Sequence, residues 1–194
     1  ACLVHIAADK LIQDKPVLHV SYSGRVDYII NWYEDIFKEL SKQPTTRGAL
    51  EIYEDIIKNR VIMNFKQDGA RTEQVLKSLE AMIVQGRFAA AAIIVDGLDF
   101  TAVGPEGLKA FKDFAGRLGL EIWFSASLRG EQPLYDENGI PNVLKAHMDS
   151  IDVLLTLQQR DDYVQMSLIS DHGRLAPKDL RLKLDPRTLL IVKD

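Results

Sequence analysis

The stretch AAAAIIVDGLDF, residues 89–100, decides the fold. Its small residues lead into Ile93, Ile94 and Val95, a continuous apolar run that ends at Asp96. A strand that is apolar on both faces needs helices on both sides of its sheet, which is typical of a parallel sheet in an α/β protein. The segment therefore predicts a central buried strand with a carboxylate at its carboxyl end.

Helices and strands alternate on both sides of this strand. Apolar residues at helical spacing predict helices over 1–14, 26–42, 49–58, 71–86 and 105–119. Short runs rich in branched residues predict strands over 17–23, 60–66 and 120–127. Strands that alternate with helices across short connections pair in parallel through right-handed crossovers. The sequence therefore predicts an α/β protein with a mainly parallel sheet flanked by helices.

The pattern changes after residue 127. A loop rich in Gly, Pro, Asp and Asn leads to a short predicted helix at 142–148, and strands are predicted at 151–159, 161–170, 180–185 and 188–193. These strands are too close together for helical crossovers, so we expect antiparallel hairpins. The expected organisation is one domain over 1–194, with a parallel part over 1–127 and an antiparallel strand extension over 151–194.

The composition narrows the class of protein. A hydrophobic fraction of 46% and a charged fraction of 27% are typical of a globular domain, and the formal net charge is -4. With no basic excess, nucleic-acid binding stays open but unsupported. The single cysteine, Cys2, excludes an intrachain disulfide and fits a reducing compartment. Because no segment resembles a membrane span or a signal peptide, we expect a cytoplasmic protein that does not enter membranes.

The opening ACLVHIAADKLIQDKPVLHVS, residues 1–21, resembles a stretch of the RecA-like ATPase core, in particular of KaiC-type clock proteins and replicative hexameric helicases. In that family a helix and a strand of this kind follow the phosphate loop. The resemblance places Ala1 just after the loop, so its lysine and its magnesium-binding hydroxyl would precede Ala1. The pattern GxxxxGK(S/T) occurs nowhere in the 194 residues.

Two further segments resemble functional strands of this family. The run that ends at Asp96 resembles the Walker B strand, which implies that Asp96 holds a magnesium-bound water beside ATP and that Asp99 assists. EIWFSAS, residues 121–127, resembles the sensor strand, which implies that Ser125 or Ser127 contacts the terminal phosphate. The structural alternatives are a buried strand that ends in an aspartate at a turn and a strand that ends in small residues.

The segment LISDHGRLAPKDLRLKLDPRT, residues 168–188, resembles the helicase segment that carries a K-x-R pair followed by a Gly/Pro turn. The resemblance implies that Arg174 points into the phosphate site of a neighbouring subunit, where it would stabilise charge in the transition state. His172 stands where the family has lysine. The structural alternative for Arg174 is a solvated arginine in a hairpin.

One departure from the family concerns the base that polarises the attacking water. The family has a glutamate just after the strand that here ends in LHVS, whereas residues 21–25 read SYSGR and the next acid is Asp27. Without that base and the phosphate loop, these residues are not expected to hydrolyse ATP efficiently.

Three functions stay open at this point. The first is an ATP- and magnesium-binding RecA-like domain that works by nucleotide-dependent assembly or switching, in a homo-oligomer or with a protein partner. The second is a degenerate, non-catalytic homologue that serves as a regulatory or scaffold module. The third is an unrelated doubly wound domain, which would be favoured if the antiparallel strands did not extend the main sheet.

The remaining polar and aromatic candidates favour structural roles. The four histidines are scattered without the spacing of metal ligands, and His5 and His19 lie in apolar patterns that predict satisfied core residues. Trp32, Tyr33 and Phe37 lie in one amphipathic helix and are predicted to be core rather than a stacking platform.

Overall fold

The computed structural model describes residues 2–22, 25–42, 53–66, 71–128, 134–188 and 190–192. In chain order its elements are α1 (Cys2–Ile12), β1 (Val17–Ser21), α2 (Val26–Ser41), α3 (Tyr53–Ile57), β2 (Arg60–Asn64), α4 (Thr72–Glu80), β3 (Ala92–Asp96), α5 (Phe100–Leu118), β4 (Glu121–Phe124), β5 (Val153–Gln159), β6 (Val164–Asp171) and β7 (Arg174–Leu184). A 3-10 helix, Asn142–Ser150, precedes β5. The chain divides into two compact units, one of Ala1–Asp99 with Ala110–Ala126 and one of Phe100–Lys109 with Ser127–Asp194.

The first unit is built on a parallel sheet with the strand order β2-β1-β3-β4. All of β1 and the first four residues of β3 are buried, as expected for central strands with helices on both faces. The register places Ser21 opposite both Asn64 and Asp96. The α/β class and the parallel sheet predicted from the sequence are confirmed.

Helices cover both faces of this sheet. On one face α1, α2 and α3 pack around a core that includes Leu11, Val17 and Phe37. On the other face the ring of Phe111 in α5 meets Phe124 edge to face, at a centroid distance of 5.4 Å. Arg117 of α5 also pairs with Glu80 of α4.

Helix α2 corrects part of the predicted core. Tyr33 and Phe37 are fully buried as predicted, but Trp32 is 43% and Ile30 is 38% exposed. An α-helix advances about 100° per residue, so Ile30 and Trp32 fall beside the stripe that Ile29 and Tyr33 bury, not within it.

The second unit contains an antiparallel sheet in the order β5-β6-β7. The predicted hairpins are therefore confirmed, but among the described residues they form a sheet of their own and do not extend the parallel sheet. Strand β7 begins at Arg174 instead of residue 180, because Gly173 takes a positive φ of 76° in a tight turn. The strand predicted at 188–193 is wrong, since its described residues form only an isolated bridge from Ile191 to Leu184.

Helix α5 begins earlier than predicted. It starts at Phe100 and is interrupted at Gly104, whose φ of 65° and ψ of 167° are not helical. That backbone conformation is nearly exclusive to glycine. Pro105 then starts the segment that the sequence predicted as the whole helix, because its fixed φ suits a first helical position.

A π-helical turn, Ala81–Gln85, extends α4 and ends at Gly86. A Cβ atom at position 86 would lie 2.6 Å from the carbonyl oxygen of Met82, closer than real Cβ contacts come. We expect Gly86→Ala to lower the free energy of unfolding by about 1–3 kcal/mol, because the backbone of the turn must shift.

Chemical denaturation of the Gly86→Ala and Gly116→Ala variants checks this expectation. Gly116 lies in α5, and a Cβ there meets nothing within 4 Å. Alanine at 116 is therefore expected to be neutral or stabilising. Equal unfolding midpoints for the two variants would contradict the role assigned to Gly86.

No helix among the described residues is long and apolar enough to cross a bilayer.

Candidate functional site

Two of the residues predicted from the sequence meet at the carboxyl edge of the parallel sheet. Asp96 ends β3, and Ser125 follows the last residue of β4. The hydroxyl of Ser125 donates a hydrogen bond of 2.7 Å to Oδ1 of Asp96. The backbone holds this geometry, because Ser125 N donates to Val95 O and Tyr22 N donates to Asp96 O. The Asp96 carboxylate is thus fixed between two neighbouring strand ends.

Side-chain alternation tells which face of the sheet carries this carboxylate. Residues in register across a parallel sheet point to the same face, and side chains two apart on one strand do so too. Asp96 therefore shares a face with Ser21 opposite it, and with His19 two residues earlier on β1. This is the face that α1 and α2 cover, because Val17 and Ile94 belong to their core.

His19 is a part of this site that the sequence prediction missed. It is 1% exposed, and its Nδ1 lies 3.0 Å from the hydroxyl of Tyr33. Its Nε2 is buried and has no hydrogen-bond partner among the described residues. The prediction of a satisfied core histidine is therefore right for one ring nitrogen and wrong for the other. The only available signal was the place of His19 on the same face as Ser21, which ends the strand.

The environment of His19 keeps its ring neutral. Burial lowers the pKa of His19 to about 4, and the positive charge of Arg60 lowers it further, while the negative charge of Asp96 acts in the opposite direction. The guanidinium of Arg60 lies 4.2 Å from the centre of the Tyr33 ring. Burial also raises the pKa of the Tyr33 hydroxyl well above its usual range, so this group stays protonated.

The other predicted site residues are not brought to Asp96 by any described contact. Asp99 is exposed and directly precedes α5. Ser127 is exposed and belongs to the second unit. Arg174, also in the second unit, is exposed at the start of β7, where it pairs in register with Asp171. Their functional roles stay predictions.

The residues after β1 provide no obvious base for a water molecule. Tyr22 is buried, and burial raises its pKa to about 12. Asp27 accepts a 2.8 Å hydrogen bond from Arg25, which lowers the pKa of the carboxyl group. A carboxylate held by an arginine with a lowered pKa is a poor general base, so the family's missing glutamate is not replaced by Asp27.

The donor set fits magnesium in one particular way. Among the described residues no group of three or more His, Cys, Asp or Glu side chains could hold a metal ion. Magnesium, however, keeps several waters and uses one or two carboxylates together with substrate phosphates. The single Asp96 carboxylate suits that arrangement, whereas a metal site made of protein ligands alone is not formed by the described residues.

Comparison with known proteins identifies a fold. No protein-family model and no curated protein sequence matches the chain. Among solved structures it is similar to the ATPase domain of a replicative helicase, with a TM-score of 0.65 and 11% sequence identity over 97% of this chain and 78% of that one. At this identity the likeness concerns the fold alone. Because it spans nearly the whole chain, it favours the RecA-like fold over an unrelated doubly wound domain, although the antiparallel strands form a separate sheet.

Proposed function

We propose that this chain is the ATP-binding domain of a cytoplasmic RecA-like NTPase that works by nucleotide-dependent assembly or switching, in a homo-oligomer or with a protein partner. Residues before Ala1 would contribute the phosphate loop, and Asp96 would hold a magnesium-bound water. The observation that carries the proposal is the hydrogen bond from Ser125 to Asp96 at the carboxyl edge of the parallel sheet. Ligands of open α/β sheets bind outside this edge.

The hydrogen bond also suggests how the site responds to nucleotide. A serine hydroxyl has a single proton to donate, and in this structure it goes to Asp96. A terminal phosphate oxygen near Ser125 competes for that proton, so phosphate binding releases the carboxylate and magnesium then attracts it. Ser125 therefore serves as the phosphate sensor, and hydrolysis returns its proton to Asp96.

Two exposed residues complete the proposal. Asp99 is a second acid near the magnesium water, and Arg174 reaches the phosphate site of a neighbouring subunit. The exposure of Arg174 at the tip of the β6–β7 hairpin favours a role between subunits, because such a side chain is accessible to another copy of the chain.

A second candidate function is a non-catalytic regulatory or scaffold module. The ion pair between Arg25 and Asp27 favours it, because this pair engages the first carboxylate that follows the place where the family has its base. In this case the protein binds ATP and changes its assembly state without hydrolysing the nucleotide. The two candidates differ in turnover and not in binding.

The test is a titration of the full-length protein with a fluorescent ATP analogue, with and without magnesium, alongside a phosphate-release assay. Binding that tightens with magnesium, with turnover, supports the NTPase. Binding without turnover supports the scaffold. No binding at millimolar nucleotide, or no GxxxxGK(S/T) in the sequence that precedes Ala1, contradicts the proposal.

A further inference from the structure

The buried imidazole of His19 has one side occupied and one side without a partner. Tyr33 takes Nδ1, while Nε2 is buried and unpartnered among the described residues. Buried polar atoms in native proteins almost always have a hydrogen-bond partner, so an unsatisfied one requires an explanation. The function proposed above uses Asp96 and Ser125 but gives His19 no role.

The hydrogen-bond inventory fixes which ring nitrogen carries the proton. If Nδ1 carried it, the Tyr33 hydroxyl would accept, and both its own proton and the lone pair of Nε2 would be buried without partners. If the hydroxyl donates to Nδ1, the only unsatisfied group is the Nε2 proton. The second arrangement is the less costly one, because each buried unpaired polar group is unfavourable. His19 therefore presents an N–H donor.

The Asp96 carboxylate is the acceptor that this donor faces. Asp96 lies on the neighbouring strand and the same face, two residues farther toward the carboxyl edge. Strand spacing places the two Cα atoms about 8 Å apart, a separation that the two side chains and one water can span. Of the other charged and titratable groups around the ring, Arg60 is cationic and Tyr33 is already engaged at Nδ1.

We propose that His19 is a positioning residue for Asp96: its Nε2 proton, with the ring fixed by Tyr33, holds through one water the carboxylate oxygen that Ser125 does not contact. This inference rests on the proposed function of Asp96 at the magnesium site. With Ser125 on one oxygen and His19 on the other, the carboxylate is oriented before the metal arrives. Such outer contacts typically change metal affinity by about 10–100-fold.

The experiment measures the magnesium-dependent gain in affinity of the full-length protein for a fluorescent ATP analogue. His19→Leu removes the donor and is expected to reduce this gain about tenfold, without changing affinity in the absence of magnesium. His19→Gln is expected to restore most of the gain, because its amide N–H reaches about as far as Nε2. Tyr33→Phe removes the group that fixes the ring and is expected to reduce the gain by a smaller factor.

Val20→Ala is the structural control. Val20 is fully buried on the opposite face of β1, so its truncation lowers stability without touching the polar face. The gain in Val20→Ala is expected to equal that of the wild type. An equal loss in Val20→Ala and His19→Leu, or a Gln variant that behaves like the Leu variant, would overturn the positioning role. If His19→Leu does not fold, an unchanged gain in Tyr33→Phe overturns it instead.

An Asp96→Asn variant separates the two proposals. If it loses the magnesium-dependent gain while His19→Leu retains it, the inference about His19 fails and the proposed function stands. If Asp96→Asn retains the gain, the proposed function fails, and the role of His19 fails with it.

Discussion

Asparagine in place of Asp96 is expected to reduce the magnesium-dependent gain in ATP affinity on the order of 100-fold. The substitution keeps the shape of the side chain, and its carbonyl oxygen still accepts the hydrogen bond from Ser125. It removes the negative charge, which is what a magnesium-bound water needs as its acceptor. Titration of the fluorescent ATP analogue, with and without magnesium, measures the effect.

The matched control is Asp35→Asn on α2. The Asp35 side chain is 71% exposed and lies 3.7 Å from Lys38, an exposed ion pair that contributes little to stability. Both variants remove one negative charge, so a general electrostatic effect on ATP binding would appear in both. Equal affinities for the wild type and Asp96→Asn in the presence of magnesium would remove Asp96 from the metal site.

The fold could be predicted because its signals are local. The apolar run before Asp96 and the helices around it follow from spacing in the sequence, and the parallel sheet follows from their alternation. The errors arose where tertiary context decides. A strand at 188–193 has the right composition, but Asp185 accepts hydrogen bonds from the backbone of Arg187 and Thr188 and turns the chain instead.

The site was predictable to the extent that topology decides it. Asp96 and Ser125 end neighbouring parallel strands, so their side chains meet once the strands pair. His19 could not be found in this way, because its role depends on Tyr33, which lies fourteen residues farther along the chain. The apolar pattern correctly predicted burial but could not tell whether both ring nitrogens are satisfied.

His19 also makes the stability of the protein depend on pH. In the folded state the pKa of His19 is lowered to about 4 from an ordinary value of 6.5, chiefly by burial. Above pH 6.5 the ring is neutral in both states and contributes no pH dependence. Between pH 6.5 and 4 the unfolded chain binds a proton that the folded chain does not, so falling pH favours unfolding. The expected total loss is on the order of 3 kcal/mol, and it levels off below pH 4.

Urea denaturation at intervals from pH 8 to pH 4 measures this loss as a fall in the free energy of unfolding. The His19→Gln variant has no titrating ring at this position, so the difference between the two proteins isolates His19 from the surface carboxylates, which titrate in both. We expect the wild type to lose stability more steeply than the variant below pH 6.5, since only its unfolded state gains a proton at residue 19. Parallel curves would show that the ring of His19 is protonated as readily in the folded protein as in the unfolded chain, which a neutral donor between Tyr33 and Asp96 does not allow.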